Sequence, residues 1–243
     1  MKNTKNIINN QVLFHTFIQK DKRTKRKGDG MKQIGKINKR MVKAIFFDFD
    51  GVLTTDKTGS FTSSRYFTKK LNVDFQELFE AKQGLEGNID SGKMTNSDVC
   101  KAVCEKLGKR FEPQWVLESF LATPIDFKMV DYARKLKSEF LIGMITDNSV
   151  ERVNVLLEKH NLANLFDPII ISAAVKCTKK GTEIFDIAAK QIGLKPGECA
   201  FIDNSEKNIV SAQQAGFIGV YFSDEIRDYQ KLFDEIDSLK KEI

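Results

Sequence analysis

The chain has 243 residues, 41% hydrophobic and 30% charged, enough for one good-sized domain or a core with an insert, and too apolar for wholesale disorder. No uninterrupted apolar run approaches the roughly 18–20 residues that span a bilayer, so no membrane partner is expected. The net charge of +6 belongs to one end: residues 1–40 hold 12 Lys and Arg against 2 Asp and Glu, a local +10, leaving −4 on the remainder.

That end reads as a basic N-terminal extension over residues 1–40. Its cluster Lys20-Asp-Lys-Arg-Thr-Lys-Arg-Lys27 suits a solvated, disordered arm, and also a strip that meets phosphate backbones or anionic lipid. Met31 and Met41 offer alternative natural starts, and Ile7–Ile18 has the pattern of a short helix without a secretory cleavage site. Cys100, Cys104, Cys177 and Cys199 form no CxxC and no ligand-like spacing with histidine, which argues against zinc. Free thiols and the lack of a secretory signal point to a cytoplasmic protein.

From residue 42 the pattern alternates between short apolar, β-prone runs and amphipathic helical stretches. The strands are expected at Val42–Phe47, Phe140–Ile145, Pro168–Ile171, Glu198–Ile202 and Ile218–Phe222. Helices are expected near Val150–His160, Thr182–Ile192, Lys207–Ala215 and Glu225–Lys241, with Gly193 and Gly216 as stops. Near-continuous apolar strands separated by helices predict an α/β fold, a Rossmann-like parallel sheet with helices on both faces. Between Thr54 and Ile125 no strand is predicted, only helices near Val73–Gln83, Asn96–Leu107 and Pro113–Leu121, the second opened by a capping-box pattern at Thr95 and Asp98. An interval this long exceeds any simple crossover. The expected organisation is a core from 41–56 and 124–243, with an inserted helical subdomain over 57–123 above the carboxyl edge of the first strand, where open α/β sheets bind ligands.

Polar groups gather at the predicted carboxyl ends. Strand one ends in Asp48 and Asp50 beside Gly51, strand two in Thr146-Asp-Asn148, strand four in Asp203-Asn-Ser-Glu-Lys-Asn208, and Lys179 and Lys180 precede a helix. Singly these are ordinary helix caps or surface charges. Together, carboxylates, a hydroxyl and a lysine converging on one edge describe a metal-and-phosphate site, because a buried carboxylate needs compensating charge and Mg²⁺ takes hard oxygen ligands.

Asp48-Phe-Asp-Gly-Val-Leu-Thr54 resembles the first motif of the haloacid dehalogenase-like (HAD) hydrolases. Ile142-Gly-Met-Ile-Thr-Asp-Asn148 resembles their second motif, and Phe201-Ile-Asp-Asn-Ser-Glu-Lys-Asn208 their fourth. An ungapped match of the stretch running to Phe185 places the third-motif lysine at Lys179, with Lys176 and Lys180 as near alternatives. The resemblance spans essentially residues 42–223, and the helical insert is similar to the family's C1-type cap. It implies a Mg²⁺-dependent phosphomonoesterase acting on a small phosphorylated metabolite. Asp48 would be the nucleophile, Asp50 the general acid and then base, Thr146 a phosphoryl ligand and Lys179 the neutralising cation. The metal would take Asp48, the carbonyl of Asp50, Asp203 and Asn204, although Asn204 stands where the family commonly has a second acid. A phosphomutase of the β-phosphoglucomutase type shares every one of these residues. A third class, a non-catalytic or nucleic-acid-associated protein, would act through the basic arm alone. Within the insert, Arg65, Lys69, Lys82 and Lys93 are either solvated charges or partners for an anionic group, and Trp115 is expected to pack.

Overall fold

The computed structural model describes residues 42–85 and 87–240; the basic extension, its cluster at residues 20–27 and the expected helix at residues 7–18 lie outside the described residues. Five strands, β1 (Ala44–Phe47), β2 (Leu141–Thr146), β3 (Ile169–Ile171), β4 (Cys199–Asp203) and β5 (Ile218–Tyr221), form one parallel sheet in the order β3-β2-β1-β4-β5. This is the expected Rossmann-like arrangement. Alternation along the strands divides their side chains between two cores. Ile45 and Phe47 pack with Met144 and Ile202 on one face, and Ala44 and Phe46 with Ile145 and Phe201 on the other.

Between Thr54 and Ile125 the chain forms four helices, α1 (Gly59–Leu71), α2 (Phe75–Lys82), α3 (Asn96–Lys106) and α4 (Gln114–Leu121). They enclose their own apolar cluster of Phe67, Leu71, Leu78, Ala81, Val99, Val103 and Cys104, against which Trp115 packs. The capping box at α3 is present, with Thr95 N–H donating to Asp98 at 3.0 Å and Asp98 N–H donating back to Thr95 at 3.1 Å. The two passages joining this insert to the sheet lie side by side. Thr54 pairs with Ile125, Thr55 N–H donates to Pro124 O and Asp126 N–H donates to Leu53 O.

One face of the sheet is covered by α5 (Phe127–Leu136), α6 (Val150–Lys159) and α10 (Tyr229–Lys240), the other by α8 (Glu183–Ile192) and α9 (Glu206–Gln214). A single helical turn, α7 (Ser172–Val175), follows β3. No expectation covered α1 or α5. The α1 sequence GSFTSSRYFTKKL is rich in Gly, Ser and Thr, residues of low helix propensity, and it is held by tertiary partners. Asp56 accepts from Thr62 Oγ1 at 2.8 Å and pairs with Arg65 at 2.8 Å, and Thr58 caps the helix. The last helix starts at Tyr229 rather than Glu225, because Arg227 takes a left-handed backbone at φ 49°. Among the described residues no helix is long and apolar enough to cross a membrane.

The two central strands approach so closely that β2 needs a glycine. A Cβ on Gly143 would lie 2.4 Å from the Phe46 ring and 3.1 Å from Pro168 O. Gly143→Ala should therefore overpack this layer by about 1–3 kcal/mol and lower the melting temperature by about 2–10 °C. An unchanged thermal melt would show that the Phe46 ring gives way freely.

Candidate active site

The end of β1 delivers the first carboxylate. Asp48 is extended (φ −69°, ψ 160°), its N–H is held by Ile202 O of β4 at 2.9 Å, and its Oδ1 accepts from Phe49 N–H at 2.7 Å. The chain then winds through a wide turn, Phe49–Leu53, in which Gly51 takes φ 78°. Any side chain at Gly51 would collide with Asn204, since its Cβ would lie 2.2 Å from Asn204 Nδ2. Position 51 therefore requires glycine for backbone sign and for space. Arg227, half-buried after β5, grips this turn. Its guanidinium donates to Gly51 O at 3.0 Å, Val52 O at 3.1 Å and Thr54 O at 3.3 Å, and it pairs with Asp126 of the opposite insert passage.

The turn places Asp50 against the start of α6. Arg152 Nη1 and Nη2 each donate to one Asp50 oxygen at 2.8 Å, and Asn148 Nδ2 adds a third hydrogen bond at 2.9 Å. This is a bidentate fork on a buried carboxylate, the strongest of the common ion-pair geometries. Arg152 also donates to Thr123 Oγ1 at 3.2 Å, so the same guanidinium touches both the site and an insert passage. Thr146, buried at the end of β2, lies 3.5 Å from Asn148 Nδ2.

Lys179 sits at the centre. Its Nζ lies 2.7 Å from Asp48 Oδ2 and 2.7 Å from Asp203 Oδ2, and it is 2% exposed. Lys176 and Lys180 are exposed. The Lys179 backbone N–H is fixed by the Asp147 carboxylate at 3.0 and 3.3 Å. Asp203, wholly buried, also accepts from Ser205 N–H at 2.7 Å and from Asn208 Nδ2 at 3.0 and 3.2 Å. Asn204 donates to Lys57 O at 3.3 Å and to Asp224 Oδ1 at 3.2 Å. A carboxylate thus stands beside the neutral amide.

Burial pushes the Asp48 pKa well above the usual carboxylate range; the Lys179 charge opposes this and the Asp203 charge adds to it. Burial works against the charge on Lys179, but Asp203, Asp48 and Asp147 outweigh it and hold its pKa above the ordinary lysine value. Burial also raises Asp147, against the pull of Lys179. From the insert, Asp90 faces the same field: burial raises its pKa, and the charges of Asp147 and Asp50 raise it further. Three buried carboxylates, Asp48, Asp50 and Asp203, are met by two buried cations, Lys179 and Arg152, so the site keeps an uncompensated negative charge.

A family model for haloacid dehalogenase-like hydrolases matches residues 42–216. The chain belongs to this family. As a HAD hydrolase, it resembles a sesquiterpene phosphatase, astK, of Aspergillus oryzae, at 29% identity over 108 residues, which covers 44% of this chain and 55% of that relative. It is 28% identical over 188 residues to the pyrimidine 5'-nucleotidase YjjG of Escherichia coli, covering 71% and 82% of the two chains. A HAD family enzyme of Bacteroides thetaiotaomicron, solved with magnesium and inorganic phosphate, superposes with a TM-score of 0.66 at 21% identity, over 79% of this chain and 99% of that one. The family model makes this chain a haloacid dehalogenase-like hydrolase, and the curated relatives named here are phosphatases.

The structure thus brings Asp48, Asp50, Thr146, Lys179, Asp203 and Asn204 of this HAD hydrolase to one sheet edge, and adds residues that sequence reasoning missed. Arg152 left one signal: it falls in the first turn of the helix leaving the second motif, at a position that faces back toward the strand ends. Arg227 and Asp126 left none, being 101 residues apart. Arg152→Met should strand Asp50 as a buried, unpaired carboxylate and cost about 3–5 kcal/mol in denaturant unfolding at neutral pH. Arg152→Lys, which keeps charge without the fork, should recover part of that loss. A loss under about 1 kcal/mol would mean that Arg152 does not carry the pair.

Proposed function

We propose that the protein hydrolyses phosphate monoesters of small molecules, with Mg²⁺ as cofactor and a phosphorylated Asp48 as intermediate. The observation that carries this reading is the single Lys179 ammonium shared by Asp48 and Asp203, with Asp50 fixed one turn away. It puts a nucleophile, a proton carrier and a surplus of negative charge at one strand edge. The donor set fits the metal: Asp48 and Asp203 supply hard carboxylate oxygens within 2.7 Å of one nitrogen, and the Asp50 carbonyl and Asn204 amide add neutral ones. Among the described residues no group of three or more His, Cys, Asp and Glu forms a self-contained cage. When bound, Mg²⁺ supplies charge neutralisation to the phosphoryl oxygens.

The protein groups then divide the chemistry. An Asp48 oxygen forms a bond to phosphorus as the ester P–O bond breaks, and Asp50, which must first take up a proton from solvent as it leaves the Arg152 fork, gives that proton to the departing alcohol. A water next forms the new P–O bond, Asp50 takes its proton, and the Asp48–phosphorus bond breaks to release inorganic phosphate. Lys179 and Thr146 hold the transferring group, and Arg152 with Asn148 keep Asp50 in place. The helical insert acts as the cap that excludes water during this exchange.

Asp48→Asn should abolish Mg²⁺-dependent release of inorganic phosphate from a generic aryl phosphate, a loss of at least about 10³-fold. Survival of the rate would remove Asp48 as nucleophile. Phosphoryl return to a sugar phosphate, without stoichiometric phosphate release, would identify a mutase instead.

The electrostatics predict a pH signature in the metal-free protein. Burial raises the Asp48 pKa, so its carboxyl, followed by carbon-13 NMR without Mg²⁺, should titrate above the ordinary aspartate value of 3.8. Lys179 opposes that rise, so Lys179→Gln should move the titration to still higher pH. A titration that moves down, or stays in place, would mean that Lys179 does not set the Asp48 charge.

A further inference from the structure

The space above Asp48 and Asp50 does not end at the polar sheet edge. It continues as one cavity of about 990 Å³ into the helical insert. Its walls change character along the way. On the sheet side lie Asp48, Asp50, Asp147, Arg152 and Lys180. On the insert side lie Phe67 of α1, Leu78 of α2, Leu85 after it, Val99 and Val103 of α3, and Phe120 of α4.

Several polar groups on the insert side are engaged within the protein, while Asp90 and Lys57 stand toward the sheet, in the field of Asp147 and beside Asn204. Lys82 Nζ donates to Ser60 Oγ at 2.6 Å, Ser60 O at 3.3 Å and Ser64 Oγ at 2.9 Å. Ser119 Oγ donates to Val116 O at 2.7 Å, and Asn96 Nδ2 to Ser149 Oγ at 2.7 Å. Cys100, on the same wall, has its thiol pushed up to about 12, first by burial, and stays neutral. Beside these groups, the lobe offers an occupant the hydrocarbon surface of Phe67, Leu78, Leu85, Val99, Val103 and Phe120.

We propose that the insert lobe holds the body of the substrate, and that the substrate is a phosphate monoester of a hydrocarbon-rich alcohol. This rests on the phosphomonoesterase reading above and names its substrate class. A hydroxyl-rich sugar entering the lobe would surrender water without gaining equivalent hydrogen bonds. An alkyl or polyene chain would release water from two apolar surfaces at once. The volume agrees, since about 990 Å³ lies at the top of the roughly 300–1,000 Å³ range of pockets for drug-sized ligands.

The test is titration calorimetry of the whole protein in Mg²⁺ with n-alkyl phosphonates of two to eight carbons, alongside hydrolysis of the matching alkyl phosphates. Affinity should rise about two- to fourfold per methylene, the factor expected for a buried CH₂. Leu85→Asn and Val99→Thr should each flatten that gradient. A flat or falling gradient overturns the proposal, as does tighter binding of a hexose phosphate than of octyl phosphonate. A gradient unaffected by both variants, or no binding at any length, overturns it as well. A steep gradient without hydrolysis of the alkyl phosphates supports the lobe and removes the hydrolase reading instead.

Discussion

One ammonium group serves two carboxylates at the centre of this molecule. Lys179 reaches Asp48 and Asp203 at the same 2.7 Å, from a loop that belongs to neither strand. Two acids buried at the ends of adjacent parallel strands would repel each other and resist desolvation; a shared cation lets both stay. One ammonium cannot neutralise both, so a net negative charge remains between them. The strand order follows from the same need. β1 lies between β2 and β4, so Asp48, Thr146 and Asp203 emerge side by side.

Around this centre, two arginines hold the backbone that carries the second acid. Arg227 satisfies three carbonyls of the turn after Asp48 and is itself paired with Asp126. Arg152 grips the Asp50 side chain and reaches Thr123. Both therefore touch an insert passage and the site together. Because a turn with Gly51 at φ 78° has little intrinsic preference for one shape, its form depends on these external donors. Movement of the insert relative to the sheet would be felt at Asp50 through the same two guanidinium groups.

The cavity joins two unlike environments in one volume. Its sheet end is charged and suited to a transferring phosphoryl group. Its insert end is lined by Phe67, Val99, Val103 and Phe120, with Lys82 held among Ser60 and Ser64. The charged groups thus come from the sheet edge and the apolar walls from the helices inserted after β1.

Much of this was legible in the chain itself. The five apolar runs, the glycine stops and the capping box at Thr95 are local signals, and each corresponds to an element in the structure. The α/β class follows from the alternation of apolar runs with helical stretches, and the family from the resemblance of four short motifs, each readable within a few residues. Two helices escaped, as α1 has a weak local preference and is held by Asp56 through Thr62 and Arg65. Arg152, Arg227, Asp126 and Asp90 escaped because their partners are distant in sequence, and Asp224 beside Asn204 for the same reason. The character of the insert cavity escaped as well. Whether Ser64 or Lys82 meets a ligand or another side chain depends on how four helices pack. The chain alone determined which polar residues gather at the sheet edge; only the tertiary structure decided which charges pair there and which side chains line the cavity, since both depend on contacts made across tens of residues.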